Sequence, residues 1–274
     1  MSETTYSPKF FGWALDRTRT SAEAIVPLVI ERVRPESVVD FGCGVGVWLE
    51  TFALHGIMDY VGVDGPWVPR DALRFPQERF VAERLDQPLN LGRRFDLAVA
   101  LEVAEHLPEH RAEAFVRNVV EHAPCVLFSA AIPHQGGTDH LNEQWPDYWA
   151  ERFATHGYVA VDGIRPRIWS NPDILHFYRQ NVLVFATQEL IAARPLLARD
   201  RECTADGQLS LVHPELMLSV AANPQEHVRR PSARELMLGE LAAALPTVVA
   251  RSLRWRLRRV TRLTSRRRRR GWRR

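Results

Sequence analysis

Short runs rich in Val, Ile, Leu, Phe and Ala alternate, as far as about residue 187, with longer stretches whose apolar residues recur at three- and four-residue spacing. The short runs predict seven strands: SVVDF (37–41), DYVGVD (59–64), RFVAE (79–83), FDLAVAL (95–101), PCVLFSAAI (124–132), YVAVDGIR (158–165) and YRQNVLVFAT (178–187). The periodic stretches predict helices. TSAEAIVPLVIERV (20–33) opens on Thr20 or Ser21 as a cap, with Glu23 in its first turn. VGVWLETFALHG (45–56) and WPDYWAERFATHG (145–157) each stop on a glycine, and EHRAEAFVRNVVEH (109–122) lies between them.

Strands that alternate with helices imply parallel βαβ units, so the expected fold is an α/β, doubly wound, seven-stranded Rossmann-like sheet. The loop between the sixth and seventh strands is too short for a crossover helix, which makes the last strand antiparallel. After Thr187 the pattern breaks into short helical or loop pieces. A capping box, Ser232 to Glu235, then opens a helix with Leu238, Leu241 and Leu245 on one face and Pro246 at its end. The expected organisation is a domain over 1–188 with 1–19 as a candidate lid, a helical extension over 189–250, and a basic tail over 251–274.

Composition adds little until charge is divided along the chain. Of 274 residues, 46% are hydrophobic and 25% charged, as in ordinary globular proteins. The segment 251–274, RSLRWRLRRVTRLTSRRRRRGWRR, holds 13 arginines and no acid. With those set apart, 23 Lys and Arg remain against 33 Asp and Glu, a net charge of −10. An acidic body disfavours nucleic acid as its partner despite a sequence pI near 9.0. Leu253, Leu257 and Val260 would share one face of a helical tail. Three readings of that tail stay open: an interfacial helix on an anionic membrane surface, a solvated polyelectrolyte, and a nucleic-acid arm.

The N-terminus mixes polar and charged residues without a secretory pattern, and no apolar run is long enough to span a bilayer. Cys43, Cys125 and Cys203 are odd in number and widely spaced, which fits neither a disulfide framework nor a zinc site. The expected location is cytoplasmic, with the tail a candidate for peripheral attachment at the inner membrane face. No metal is expected.

The candidate chemistry begins at VVDFGCGVGVW (38–48). A strand ending in Asp40 and turning into a helix through Gly42, Gly44 and Gly46 leaves backbone that a ligand can approach without meeting a Cβ. The helix start behind it offers unpaired N–H groups. A dinucleotide site would have G-x-G-x-x-G, but the third glycine position of that pattern is Val47. Asp40 beside the turn is unfavourable for a pyrophosphate and suits a cationic ligand. Asp64, ending the second strand about twenty residues after the glycines, can accept hydrogen bonds from a ribose hydroxyl pair. A nucleoside with an amino-acid tail, S-adenosylmethionine (SAM), fits these features. A turn that merely packs helix on strand, or an NAD site, are the alternatives.

Over residues 20–187 the chain resembles the class I SAM-dependent methyltransferases. The carriers are VVDFGCGVGVW, VGVDG (61–65), FDLAVALEVAEHLP (95–108) and DHLNEQWPDYWAERFATHGY (139–158), the last two similar to segments of small-molecule and glycan members. The resemblance implies that the cofactor's amino and carboxylate ends lie over Gly42, Gly44 and Gly46 near Asp40, with the ribose on Asp64. Many members place an Asp just after the third strand against the adenine amine. RLDQPL (84–89) instead has Arg84 there, so either Asp86 substitutes or the Leu85 backbone holds the base.

The acceptor is expected beyond the C-terminal ends of the strands, where LEVAEHLPEH (101–110), AIPHQGGTDHLNEQW (131–145) and PRIWSNPDILH (166–176) should meet. Methyl transfer needs alignment and exclusion of water, and an alcohol acceptor also needs its proton removed. His140 and His106 are the candidate catalytic bases, and a loop-orienting role is the alternative for each. His134, Glu102, Asn142, Gln144 and Trp145 are candidates for binding the acceptor, with Glu105 a further orienting acid. Amides, acids and an aromatic plate suit a hydroxylated ligand. The expected function is O-methylation of a sugar, glycan or hydroxylated natural-product intermediate. RNA methylation and a catalytically inactive SAM-binding module are the alternatives.

Overall fold

A computed structural model describes the chain from Pro8 to Ala222, with side chains from Asp16 onward. The helix expected at 231–246 and the arginine-rich segment 251–274 lie outside the described residues.

Seven strands form one sheet: β1 (Ser37–Phe41), β2 (Asp59–Asp64), β3 (Phe80–Ala82), β4 (Leu97–Leu101), β5 (Cys125–Ser129), β6 (Tyr158–Val161) and β7 (Leu183–Thr187). Their order is β3-β2-β1-β4-β5-β7-β6. The first five are parallel, and β7 inserts antiparallel between β5 and β6. Chain order reverses at the β1/β4 boundary, where doubly wound sheets bind their ligands.

The period of two along each strand sorts side chains into two cores. Val38, Leu97, Val99, Leu101, Cys125, Leu127 and Val184 face one helical layer. Val39, Phe41, Ala98, Ala100, Val126, Phe128 and Phe185 face the other. Apolar residues on both faces explain why β4 and β5 read as unbroken hydrophobic runs. The first layer contains α1 (Pro8–Val33) and α2 (Val47–Leu54). On the second face, α3 (Ala112–His122) and α4 (Pro146–Thr155) pack Phe115, Val119, Trp149 and Phe153 onto the strands. Trp149 and Phe153 are thus core residues, with Phe153 stacked on Phe185 at 4.1 Å between ring centroids.

Several expected boundaries differ, and the sixth strand stops at Val161 rather than Arg165. The first helix starts at Pro8, and neither Thr20 nor Ser21 caps it. Their hydroxyls instead donate to the carbonyls of Asp16 and Arg17, four residues back, the mid-helix habit of Ser and Thr. The YRQN part of the seventh expected strand belongs to a short helix, α6 (His176–Asn181), which follows α5 (Arg165–Ile168). These polar residues are buried and tied down by tertiary bonds, including Arg165 Nη1 to the Gln180 carbonyl at 3.1 Å.

Beyond β7 come α7 (Gln188–Ala193), α8 (Pro195–Glu202) and α9 (Pro214–Ala222). Ile191 and Leu197 sit in the same core as α1, and the buried Arg32 Nε donates to Asp200 at 2.6 Å. Among the described residues no helix is long and apolar enough to cross a membrane.

Candidate active site

The glycine turn after β1 is built on left-handed backbone, with φ of 83° at Gly42, 52° at Gly44 and 88° at Gly46. Each glycine answers a different need. A Cβ on Gly42 would stand 2.4 Å from a Val103 methyl, and one on Gly46 would stand 2.2 Å from the Phe75 ring. A Cβ on Gly44 would meet nothing within 4 Å. Two glycines therefore let neighbours pack closely, while the middle one faces open space. Its amide is aimed by Asp64, which accepts from Gly44 N–H at 2.8 Å and from Gly65 N–H at 2.6 Å.

Asp40 and Asp64 lie at the ends of adjacent parallel strands. Asp40 is buried, and its Oδ2 has no hydrogen-bond partner among the described residues. Burial, and then the nearby Asp64 charge, raise the Asp40 carboxyl well above the usual carboxylate range. Burial also raises Asp64, against the two amide hydrogen bonds. Two confined acids, one with an unused oxygen, form a seat for a positively charged group.

At the rim, past β3, Arg84 Nε and Nη2 donate to the two oxygens of Asp86 at 3.0 and 2.9 Å. That pairing holds Asp86 below the usual carboxylate range. Leu85 packs against the second core.

The second part of the site is carried by the segment after β4. Glu102 has φ 55°, and its N–H donates to the Ser129 carbonyl at 3.0 Å, at the end of β5. Its carboxylate accepts from Gln135 at 2.9 Å and Asn181 at 3.1 Å. Burial raises its pKa, opposed by these hydrogen bonds. One 3₁₀ turn, Ala104–His106, then places Glu105 and His106 together. Glu105 is fully buried, and its carboxyl is met by the Glu105 and Ala131 backbone amides and by the Glu102 carboxyl. Burial, then the Glu102 charge, raise it well above the usual range.

The loop after β5 folds back over this turn. Leu141 and Asn142 N–H groups both donate to the Glu105 carbonyl, at 2.7 and 2.9 Å. The His140 ring thereby stands edge-on to His106, with centroids 4.9 Å apart. His140 Nδ1 is 3.0 Å from Glu143 Oε1, and Glu143 also accepts from the His134 and Gly136 amides. Against the raising effect of burial, these hydrogen bonds hold Glu143 below the usual range. Burial, and then His140, push His106 down to about 4, so its ring is neutral with a lone pair.

Of the expected residues, Asp40, Gly42, Gly44, Gly46 and Asp64 come together in one cluster. Glu102, His106, His140 and Asn142 come together in another, and Val103 packed on Gly42 joins the two. Gln144 donates to Asn142 at 2.9 Å. His134 is exposed at φ 70°, contributing its amide to Glu143, and Trp145 is 40% exposed just before α4. Glu102 is reached by Asn181, expected in the seventh strand and found in α6, outside the third expected loop at 166–176. Sequence reading missed Glu143, Gln135, Asn181 and Ser129. Only Glu143, one short loop step from His140, left a signal.

A protein-family model described as a methyltransferase domain matches residues 14–161. No curated protein matches. Among solved structures, the sugar N-methyltransferase KedS8 from a Streptoalloteichus species is 15% identical, with 68% of this chain and 97% of that one covered and a TM-score of 0.51. Magnesium protoporphyrin IX methyltransferase from Synechocystis is 18% identical over 67% of this chain and 90% of that one, with a TM-score of 0.49. CalS10, an amino pentose methyltransferase from Micromonospora echinaspora, is 15% identical over 69% of this chain and all of that one, with a TM-score of 0.47. At such identities the likeness is one of fold.

Proposed function

The chain belongs to the methyltransferase-domain family, and we propose on that premise that it is an O-methyltransferase acting on a sugar, glycan or hydroxylated small metabolite. S-adenosylmethionine is the methyl donor of this family. Here it would lie over Gly44 with its cationic amino end toward Asp40 and its ribose hydroxyls on Asp64. Asp64 already binds the Gly44 and Gly65 amides, so it would meet the ribose with an oriented carboxylate. The adenine would fall near Leu85 and Asp86.

The observation that carries the reading is the meeting of His106 and His140 beside Val103, which itself packs on the cofactor turn. A hydroxyl is a poor nucleophile until its proton leaves, and this histidine pair marks where that activation would take place. Glu102, Asn142, Gln144, His134 and Trp145 offer donors, acceptors and an aromatic plate around it, as a polyhydroxylated ligand requires. The transfer itself needs the acceptor oxygen, methyl carbon and sulfur in line. The arginine-rich segment 251–274 is taken as dispensable for transfer, serving any anionic surface contact the protein makes.

The test is label transfer from methyl-labelled SAM to panels of sugar nucleotides, hydroxylated metabolites and RNA. Label on an oxygen of the first two classes supports the reading. Label on RNA alone overturns it, and SAM binding without transfer to any panel marks an inactive binding module.

A further inference from the structure

We propose that Glu105, His106 and His140 bind a divalent first-row transition-metal ion, and that this ion holds and activates the acceptor hydroxyl. One carboxylate oxygen and two ring nitrogens, one from each residue, lie within 4.8 Å of one another. They reach that spacing from two loops pinned together by the Leu141 and Asn142 amides on the Glu105 carbonyl.

Three features of the surroundings suit an ion at this cluster. Glu105 is fully buried with the Glu102 carboxyl against it, two acids confined together where a positive charge would relieve their repulsion. His140 Nδ1 is engaged by Glu143, so in the neutral ring the lone pair falls on Nε2. A carboxylate on the far nitrogen of a histidine is the arrangement that orients metal-bound imidazoles. Gly137 completes the geometry, because a Cβ there would stand 2.3 Å from the His140 ring.

Two imidazoles and one carboxylate suit a borderline divalent ion such as Mn(II), Co(II) or Zn(II) better than Ca(II), which takes six or more oxygens. Three protein ligands leave open positions for acceptor hydroxyls, and an adjacent pair on a sugar could fill two. A bound cation lowers the pKa of a coordinated hydroxyl. The proton then passes to water, the oxygen attacks the methyl carbon, and the C–S electron pair stays on sulfur as neutral S-adenosylhomocysteine. This role for the ion rests on the O-methyltransferase reading, whereas the site itself does not.

The test is titration of chelator-treated full-length protein with Mn(II), followed by the electron-spin signal of free ion, and with Co(II), followed by its visible bands. One equivalent should bind, with His106→Ala and His140→Gln each weakening it at least ~10-fold and Glu143→Gln by about 10-fold or more. SAM affinity, measured on the same samples, should be unaltered and reports that the variants are folded. Absence of saturable binding, or binding equally tight in the folded variants, overturns the site. Full methyl transfer by metal-free protein overturns the activating role while leaving the O-methyltransferase reading intact. Tight metal binding without methylation of any hydroxyl overturns that reading, and with it the activating role, while the metal site stands.

Discussion

The Asp64 carboxylate accepts a hydrogen bond from the Gly44 amide at 2.8 Å, tying the end of one strand to the open glycine of the turn after its neighbour. Because β1 and β2 are parallel and in register, Phe41 opposite Val63, their ends stop at the same level. The acid is thereby brought to the turn although about twenty residues of helix and loop separate them. One side chain both shapes the turn and presents an oxygen at its mouth.

Asp64→Ala should weaken SAM by about 1.5–3 kcal/mol, the cost of removing a charged hydrogen-bond partner. Calorimetric titration reads this directly. Asp64→Asn, which keeps one acceptor oxygen, should lose less. Unaltered affinity in the alanine variant removes Asp64 from the ribose.

Cofactor binding should expel protons. Burial and the Asp64 charge raise the Asp40 carboxyl in the free protein, so it holds a proton over part of the accessible pH range. A cationic ligand favours the carboxylate, and affinity must therefore rise with pH until the free carboxyl is ionised, then level off. Titrations from about pH 5 to about pH 8, in buffers of different ionisation enthalpy, should show this slope and a buffer-dependent heat. A flat profile contradicts the placement of the cationic end on Asp40.

His140→Ala should reduce turnover ~100-fold or more with SAM affinity within a few-fold, since the ring lies outside the cofactor seat. Glu143→Gln should lose about 10-fold through misorientation of His140. Steady-state rates beside SAM titrations check both. If Glu143→Gln is silent while His140→Ala is inactive, Glu143 does not position the ring.

The strands were legible because their residues follow period two with both faces apolar. Val38 and Val39 already point to opposite cores. The glycine turn was legible because its backbone conformation leaves few other residues as options. The start of the first helix was not, since Thr20 and Ser21 look like caps from local pattern alone yet bond backward inside a longer helix. The support of Glu102 by Gln135 and Asn181 was equally hidden. Those residues are far apart in sequence and meet only once β7 has inserted beside β5. The histidine pair was readable as two candidates, but their contact depends on a loop fold that no local spacing encodes.

The pieces after Thr187 should matter to stability. Asp200→Ala leaves the buried Arg32 guanidinium without its closest carboxylate and should cost about 3–5 kcal/mol. Asp86→Ala, which breaks a pair whose arginine is 59% exposed, should cost under about 1 kcal/mol. Urea unfolding of both variants makes the comparison. Equal midpoints would mean that α8 contributes nothing to the fold.

The central claim, that SAM is seated on the open middle of the glycine turn, is tested most directly by titrating SAM into the wild type and the Gly44→Ala variant. A Cβ at Gly44 meets no protein atom within 4 Å, so it should enter only the space of the cofactor. The account predicts one SAM bound per chain at micromolar or tighter affinity in the wild type. In Gly44→Ala that binding should be at least ~10-fold weaker, with at most the ~1–2 kcal/mol of stability lost that a left-handed φ imposes on alanine. No SAM binding by the wild type, or equal binding by the folded variant, would contradict it.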